Sequence, residues 1–207
     1  NLGVLYREGR GVPRDDAEVV NWYRLAAEQG DARAQFNLGG MYRRGDGVPR
    51  DDAEALKWYR LAAEQGAAVA QYNLGLMYAA GHGGAQDHAQ AMTWYRRAAG
   101  QGNADAQTSL GLVYQRGEGA PPDEAEALTW FRLAAAQDHA VAQNNLGLVY
   151  ANRAASWVER LGADLGLAAL PDEAEAFQWF RRAAEQGHAV AQSNLGLMYA
   201  NKVSNWV

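Results

Sequence analysis

Histidine is the residue type in this sequence best suited to metal binding or proton transfer, and the chain contains four histidines. His82 and His88 flank one predicted loop, to which Asp87 adds a carboxylate. Their spacing matches no zinc site, so a solvated loop is the simpler interpretation. His139 and His188 each precede a predicted helix, where an imidazole can cap the helix or shape the turn. We therefore predict neither a catalytic histidine nor a metal site.

Glycine-rich loops such as residues 45–47 imitate a phosphate-binding cradle only superficially. A P-loop requires a following Lys and Ser or Thr, which these loops lack. The patterns Ser-x-x-Lys, Gly-x-Ser-x-Gly and His-Glu-x-x-His are absent from the sequence as well. The sequence thus predicts a non-enzymatic protein without a cofactor, and the recurrence of these loops indicates turns.

A motif that repeats every 36 residues organises the chain. The Leu-Gly pair begins at positions 2, 38, 74, 110, 146 and 195, and Trp recurs at 22, 58, 94, 130 and 179. The last interval is 49, so the fifth repeat carries 13 additional residues. We predict a single array over residues 1–207, with units of about 1–30, 31–66, 67–102, 103–138 and 139–187 and a partial unit at 188–207.

Each repeat is predicted to contain two helices. The first helix, such as residues 32–44, carries apolar residues at helical spacing and ends at Gly45, which can adopt the left-handed C′ conformation. The second helix begins at an Asp that is followed three residues later by Glu or Gln, the pattern of a reciprocal capping box. These pairs are Asp15 and Glu18, Asp51 and Glu54, Asp87 and Gln90, Asp123 and Glu126, and Asp172 and Glu175.

Small residues mark the places where the two helices of a repeat cross. The Gly of each Leu-Gly pair, such as Gly75, and an Ala pair on the second helix, such as Ala98 and Ala99, remove side-chain bulk. Trp and Tyr then fill the wider gaps between helices. Since neither helix can bury such a face alone, the repeats must stack into an all-α solenoid.

The full motif is Leu-Gly-x-x-Tyr-x-x-Gly-x-Gly-Val-x-x-Asp, followed by Ala-x-x-Trp-x-x-x-Ala-Ala-x-x-Gly. It resembles the Sel-one-like repeat family, which is related to the tetratricopeptide repeats, and the resemblance covers essentially the whole chain. It implies a right-handed α-solenoid superhelix that acts as an adaptor for other proteins, as is common in bacteria and in protein-quality-control complexes. It names no partner, and it favours a periplasmic or secreted protein over a cytoplasmic one.

By similarity to tetratricopeptide repeats, the first helices are expected to line a concave groove that binds a partner. Framework residues are committed to packing, so the variable positions of the first helices are the candidates for specificity. The residues predicted to bind a partner are Arg7, Arg33, Phe36, Arg43, Arg44, Tyr72, Arg116, Asn144, Leu148 and Asn152. Arginine and aromatic residues dominate the N-terminal half of this set, whereas Asn and Leu dominate the C-terminal half.

Several arginines beside two aromatic rings suit an extended acidic peptide or a C-terminal carboxylate, because a guanidinium group binds a carboxylate in a bidentate manner. The alternative interpretation is that Phe36 and Tyr72 pack against neighbouring helices while the arginines are merely solvated. A different class of function, recognition of a cell-wall glycan, would use the same aromatic residues and the groove asparagines. Sugar sites expose aromatic platforms, however, and five of the seven Trp residues belong to the repeated framework.

Charge and hydropathy limit the other partner classes. The formal net charge is −5, which disfavours nucleic acid as a partner. No apolar run is long enough to span a bilayer, and the absence of cysteine excludes disulfides and thiolate metal sites. Asn1 leads directly into the first repeat without a charged and apolar leader, so no signal peptide is expected in the sequence.

The longer fifth repeat is predicted to extend its first helix. No Gly or Pro interrupts the sequence after Tyr150 until Gly162, so this helix should run to about residue 161. Asp164 can then cap a short turn over residues 165–169. Trp157 is expected to fold back onto the solenoid or to form a docking knob. Trp206, in a similar segment at the end of the sequence, is predicted to mediate self-association.

Overall fold

The computed structural model describes residues 15–161 and 171–204, and for 157–161 and 201–204 it describes the backbone alone. Within these ranges every element of regular structure is an α-helix, so the predicted all-α repeat fold is confirmed. The helices are α1 Asp16–Glu28, α2 Ala32–Arg44, α3 Asp52–Glu64, α4 Ala68–Ala80, α5 His88–Gly100, α6 Ala104–Arg116, α7 Glu124–Ala135, α8 Ala140–Leu161, α9 Pro171–Glu185 and α10 Ala189–Ser204.

The chain forms two compact units, residues 1–106 with 118–121 and residues 107–117 with 122–207. In the first unit, α1 packs against α2, α2 against α3, α3 against α4, and α4 against α5. In the second unit, α7 packs against α8, α8 against α9, and α9 against α10. The even-numbered helices are the first helices of their repeats and the odd-numbered helices are the second helices, so helix pairing follows the order of the sequence.

Four of the five predicted N-caps are formed. Asp51 accepts hydrogen bonds from the backbone N–H groups of Ala53 and Glu54, and Asp15 caps α1 in the same way. Asp87 and Asp123 cap α5 and α7 by accepting from the backbone N–H three residues later. The prediction is wrong for Asp172, which lies inside the first turn of α9 because that helix begins at Pro171. Proline is suited to the first helical position, since its φ is already helical and its nitrogen has no hydrogen to satisfy.

The second half of the predicted capping box is replaced by other contacts. The backbone N–H of Asp51 donates to the carbonyl of Tyr42 at 2.9 Å. Glu54 instead accepts a hydrogen bond from the indole Nε1 of Trp58 at 3.0 Å. Trp130 and Trp179 donate to Glu126 and Glu175 in the same way. In these three repeats the glutamate therefore positions a tryptophan one turn later.

Aromatic rings, rather than the Ala pairs, occupy the space left by the crossing glycines. A Cβ atom added at Gly75 would lie 2.5 Å from the ring of Tyr95, and one added at Gly147 would lie 2.5 Å from the ring of Phe180. These rings belong to the residue that directly follows each framework Trp, and they are buried. Any side chain at the crossing would thus displace an aromatic residue of the core.

Buried glutamines connect the two helices of a repeat with each other and with the preceding repeat. Gln35 donates to the carbonyl of Ala27 at 3.1 Å and accepts from Nε2 of Gln65 at 2.7 Å. Equivalent side-chain bonds join Gln101 to Gln71, Gln137 to Gln107, and Gln186 to Gln143. We call this set the glutamine ladder. Because buried amides are costly to leave unpaired, the ladder favours one alignment of the two helices of each repeat.

The glycine-rich loops serve as tight turns. Gly45 ends α2 in the left-handed conformation, with φ of 78°. Gly47 has φ of 69°, and a Cβ atom there would collide with the carbonyl oxygen of Asp16 at the start of α1. The loop thus lies directly on the preceding second helix, which only glycine allows at this position.

The predicted extension of the fifth repeat is confirmed. Helix α8 contains 22 residues, whereas the first helices α2, α4 and α6 of the preceding repeats contain 13 each. Its additional turns carry Arg153, which forms an ion pair with Glu124 at 2.6 Å, and the buried Ala154. The expected cap at Asp164 and the turn over 165–169 lie outside the described residues.

Candidate protein-interaction surface

The predicted arginines of α2 are accessible. Arg33 is exposed in the first turn of the helix and Arg43 is half-buried in its last turn. Arg44 has a side chain that is 63% exposed and forms an ion pair with Asp46, with Nε 2.6 Å from Oδ2. Arg7 lies outside the described residues. Two adjacent guanidinium groups are therefore available at one end of α2.

Other arginines are committed to the framework. Arg24 donates to the hydroxyl of Tyr42 at 3.0 Å, and Arg60 donates to the hydroxyl of Tyr78. Each of these bonds joins a second helix to the next first helix, as does the bond from Arg132 to Tyr150. This separates the arginines that hold repeats together from Arg43 and Arg44.

The two predicted aromatic residues are half-buried, and each packs against a tyrosine of the following second helix. The ring centroids of Phe36 and Tyr59 are 5.5 Å apart, and those of Tyr72 and Tyr95 are 6.0 Å apart. In each pair the planes are inclined by about 40°, a tilted geometry within the favourable distance range. Packing against a neighbouring helix, the alternative interpretation of these residues, therefore accounts for part of each ring.

One position that sequence reasoning missed is Gly40, which follows the Leu-Gly pair of α2. A Cβ atom at Gly40 would lie 3.1 Å from Nη1 of Arg44 and 3.5 Å from the hydroxyl of Tyr59. The missing side chain thus lets the guanidinium group lie back along the helix, close to the tyrosine. Gly40 is the one glycine among the residues that follow a Leu-Gly pair, the others being Val4, Leu76, Leu112, Leu148 and Leu197. This difference was a signal that could have marked the position.

We call Phe36, Gly40, Arg43, Arg44 and Tyr59 the Tyr59 cluster. Burial raises the pKa of the Tyr59 hydroxyl, while the charges of Arg43 and Arg44 and a hydrogen bond from Arg43 oppose that rise. Because the pKa remains above its ordinary value, the hydroxyl stays protonated at neutral pH. The cluster therefore presents hydrogen-bond donors to a ligand that carries negative charge.

The next repeat has the same aromatic pair but different charges. The positions of Arg43 and Arg44 are occupied by Ala79 and Ala80. Burial raises the pKa of Tyr95 far above its ordinary range, and Tyr72 and Glu118 raise it further. The basic character is thus local to α2 and its loop.

The C-terminal candidates differ in accessibility. Asn144 is buried, with 5% exposure, and its Oδ1 accepts a hydrogen bond from Nδ2 of Asn194 at 3.1 Å. Arg116, Leu148 and Asn152 are exposed. The structure thus brings three of these four residues to the surface and places Asn144 between two helices. The side chain of Trp157 and the whole of Trp206 lie outside the described residues.

Two histidines have the predicted capping role. His139 accepts from the backbone N–H of Ala142 at 3.4 Å, and His188 accepts from that of Ala191 at 3.2 Å. His82 lies 3.7 Å from a carboxylate oxygen of Asp52. Among the described residues, no group of three or more His, Asp or Glu side chains is arranged to hold a metal ion.

In the described part of the chain, no helix combines the length and the apolar character needed to cross a bilayer.

The sequence matches the family model of the Sel1 repeat, which is the Sel-one-like repeat, over nearly its whole length. The matched residues are 1–31, 32–66, 68–103, 104–139, 140–188 and 189–201. No curated protein matches the chain.

Solved structures agree with that match. A Sel1 repeat protein from Oxalobacter formigenes is 35% identical, with a TM-score of 0.82 over 96% of this chain and 74% of its own. The protein c5321, a protective antigen present in uropathogenic Escherichia coli strains that displays an SLR fold, is 38% identical, with a TM-score of 0.72. That alignment covers 96% of this chain and 47% of c5321, so this chain spans about half of its length.

A more distant structure shares the fold alone. The immunity protein Pa5087 from Pseudomonas aeruginosa is 24% identical, with a TM-score of 0.52 over 91% of this chain and 67% of its own. The repeated motif, the paired helices and these matches agree: the chain belongs to the Sel1 repeat family, whose members are generally non-enzymatic scaffolds for protein–protein interactions.

Proposed function

We propose that this protein is an adaptor that binds an acidic segment of a partner protein on the face of its first helices. The observation that carries the proposal is the Tyr59 cluster, in which two accessible arginines lie beside the half-buried Phe36 and the buried Tyr59. Arginine and aromatic side chains are the residue types that contribute most at protein interfaces.

The charge distribution supports an acidic partner. The chain as a whole carries a formal net charge of −5, so nonspecific attraction to acidic proteins is weak and a local basic site is needed to bind one. Arg33, Arg43 and Arg44 all lie on α2. An extended acidic segment along this helix would contact all three.

A protein partner is favoured over a glycan by the state of the tryptophans. Trp58 and Trp94 are buried, and the indole groups of Trp58, Trp130 and Trp179 are bonded to glutamates. Trp22 is 39% exposed, but it lies on the second helix α1 rather than on the first-helix face. Phe36 and Tyr72 each use part of their ring for packing, which leaves less of it to stack on a sugar.

The proposal can be tested by site-specific crosslinking. The sequence contains no cysteine, so one cysteine at the exposed Ala80 of α4 can carry a photo-crosslinker and report which segment of a partner lies beside α2. Crosslinking should be lost in Arg43→Glu/Arg44→Glu and should weaken with salt, because exposed charges are screened beyond ~10 Å at 0.1 M.

The matched control is Lys57→Glu/Arg181→Glu, which makes the same change of net charge on the second helices α3 and α9. Crosslinking should survive in this variant. Capture of a partner that is insensitive to salt and to Arg43→Glu/Arg44→Glu would contradict the proposal, and capture of cell-wall fragments in its place would favour the glycan.

Self-association through the C-terminal end is the second part of the proposal. Helix α10 exposes 61% of Leu197 and 55% of Tyr199, and a Cβ atom added at Gly196 would meet nothing within 4 Å. These features support an apolar contact with a second copy. Light scattering should then show a dimer that Leu197→Glu dissociates, and a monomer at high concentration would contradict self-association.

A further inference from the structure

We propose that the Tyr59 cluster is a carboxylate-binding site in which Asp46 of the same chain holds the place of the partner's carboxylate until the partner binds. This inference rests on the proposed function, since it names the chemical group that the first-helix face recognises. It adds two elements: a position that creates the site, Gly40, and an internal competitor, Asp46.

Gly40 creates the site by removing a side chain. With glycine at this position, Nη1 of Arg44 lies 3.1 Å from where a Cβ atom would be, and the hydroxyl of Tyr59 lies 3.5 Å from the same point. The guanidinium group and the hydroxyl are therefore neighbours across the surface of α2. A leucine, which the equivalent positions in four other repeats carry, would fill this space and push Arg44 away.

The donors around this point are suited to a carboxylate. Arg44 offers the N–H groups of its guanidinium fork, and the largely buried Tyr59 places its hydroxyl beside that fork. Arg43 acts on the same hydroxyl through its charge and a hydrogen bond. Charge-assisted hydrogen bonds to a carboxylate are stronger than neutral ones, and a guanidinium group can bind both carboxylate oxygens. Phe36 packs on the Tyr59 ring and holds that ring in place.

Asp46 already makes one of the contacts that a partner's carboxylate would make. Its Oδ2 lies 2.6 Å from Nε of Arg44, and the two side chains are 37% and 63% exposed. An ion pair this exposed contributes little to stability, so exchanging Asp46 for another carboxylate costs little. Asp46 keeps the guanidinium group of Arg44 in position and lowers the affinity of the site for ligands that bind it weakly.

The experiment measures binding of defined peptides to the whole chain by fluorescence anisotropy. The probe is a labelled peptide of alternating Glu and Gly with an amidated C-terminus, and the comparison peptide has Gln in place of Glu. A Gly peptide with a free C-terminal carboxylate, and its amide, show whether the carboxylate comes from a side chain or from a chain end. We expect the Glu peptide to bind and the Gln peptide not to bind.

The test variants use residues that other repeats already carry, so the fold should tolerate them. Gly40→Leu copies Leu76, and Tyr59→Phe copies Phe131. Each should weaken the Glu peptide by about tenfold, the effect of losing one charge-assisted hydrogen bond. Thermal melts by circular dichroism show whether each variant remains folded.

Asp46→Asn supplies a test of opposite sign. Removal of the internal competitor should tighten binding of the Glu peptide by roughly threefold, since an exposed ion pair is lost. Asp138→Asn, on the turn after α7, makes the same change of charge at an exposed position and should leave binding unchanged. A loss of affinity in Asp46→Asn, or equal gains in both variants, would overturn the role of Asp46 as a competitor.

The outcomes separate this inference from the proposed function. Failure of the Glu peptide to bind, or binding that Gly40→Leu and Tyr59→Phe do not alter, overturns the carboxylate site. If a partner segment is nonetheless crosslinked to wild type and lost in Arg43→Glu/Arg44→Glu, the proposed adaptor function stands without it. If no crosslink depends on Arg43 and Arg44, both fail.

Discussion

The first helices α2 and α8 share the repeated framework, but they differ in the side chain at one variable position and in what that side chain contacts. Both carry a buried glutamine of the ladder, Gln35 or Gln143, and a glycine beneath an aromatic ring. The residue after the glutamine differs. In α2 it is Phe36, half-buried beside Tyr59, whereas in α8 it is Asn144, buried and bonded to a helix of the next repeat.

This difference shows that a variable position is not by itself a binding position. The amide of Asn144 forms a hydrogen bond between α8 and α10. At the same place in α2, an aromatic ring leaves part of its surface open beside two arginines. Position in the motif therefore indicates which residues are free to vary, but the identity of the side chain determines whether it faces a neighbour or a partner.

The largest effect that tests this comparison is expected at the crossing glycines. Gly147→Leu should lower the free energy of unfolding by ~1 to 3 kcal/mol, because even a Cβ atom would lie 2.5 Å from the Phe180 ring. Urea denaturation followed by circular dichroism measures this change. Gly40→Leu should cost less, since the group nearest to its Cβ is the flexible end of Arg44.

Gly196→Leu is the matched control, with the same flanking Asn-Leu and Leu residues and nothing within 4 Å of an added Cβ. It should leave stability unchanged or raise it by up to ~1 kcal/mol, since glycine is a poor helix former. Equal destabilisation by Gly147→Leu and Gly196→Leu would show that the ring contact does not matter.

The second prediction concerns the residue after the framework Trp, which is Tyr59 or Tyr95 in the N-terminal repeats and Phe131 or Phe180 in the C-terminal repeats. Burial raises the pKa of Tyr59 and of Tyr95 in the folded chain. Their contribution to stability is therefore fully present below the unfolded value near 10, and it is lost as pH rises toward the folded pKa, by up to ~1.4 kcal/mol per pH unit for each tyrosine. Unfolding curves recorded from pH 9 upward should show this decline.

Tyr95→Phe should make that decline less steep. Phe131 and Phe180 at the equivalent positions do not titrate, so they contribute no such slope. An alkaline decline that Tyr95→Phe does not reduce would mean that other groups cause it.

The smallest effect is expected at Asn144. Asn144→Ala should cost about 1 kcal/mol, because it removes one hydrogen bond and leaves Nδ2 of Asn194 without this acceptor. A double-mutant cycle with Asn194→Ala measures the coupling. Asn152→Ala, at an exposed residue of the same helix, should change stability by less than ~0.5 kcal/mol, and a zero coupling energy would show that the bond contributes nothing.

The helices could be predicted from the sequence because their signals are local. The Asp caps and the glycine stop at Gly45 lie within a few residues of the ends they define, and the 36-residue period repeats them. The long α8 was predictable for the same reason, since its extension depends only on the absence of Gly and Pro. The predicted cap at Asp172 was wrong because Pro171, a residue suited to the first position of a helix, is a competing local signal.

The contacts between helices were not predictable in the same way. The glutamine ladder joins residues that are 30 positions apart, and the partner of each amide depends on how the two helices of a repeat stack. The periodic recurrence of Gln35, Gln71, Gln107 and Gln143 was a visible signal, but a polar residue on a first helix is equally consistent with an exposed position. The burial of Asn144 depended on such a stacking contact as well.

The glutamine ladder also limits where the array can change its length. Gln186 lies 43 residues after Gln143, against 30 for the other pairs, yet the bonds are 2.7 Å and 2.8 Å long. Chain inserted between a first helix and its second helix therefore leaves the pairing of those two helices unchanged, and Gln143 still donates to the carbonyl of Ala135 in the preceding repeat. This junction accommodates added chain without loss of the glutamine bond, so it is the place at which a reporter domain could be spliced into the protein.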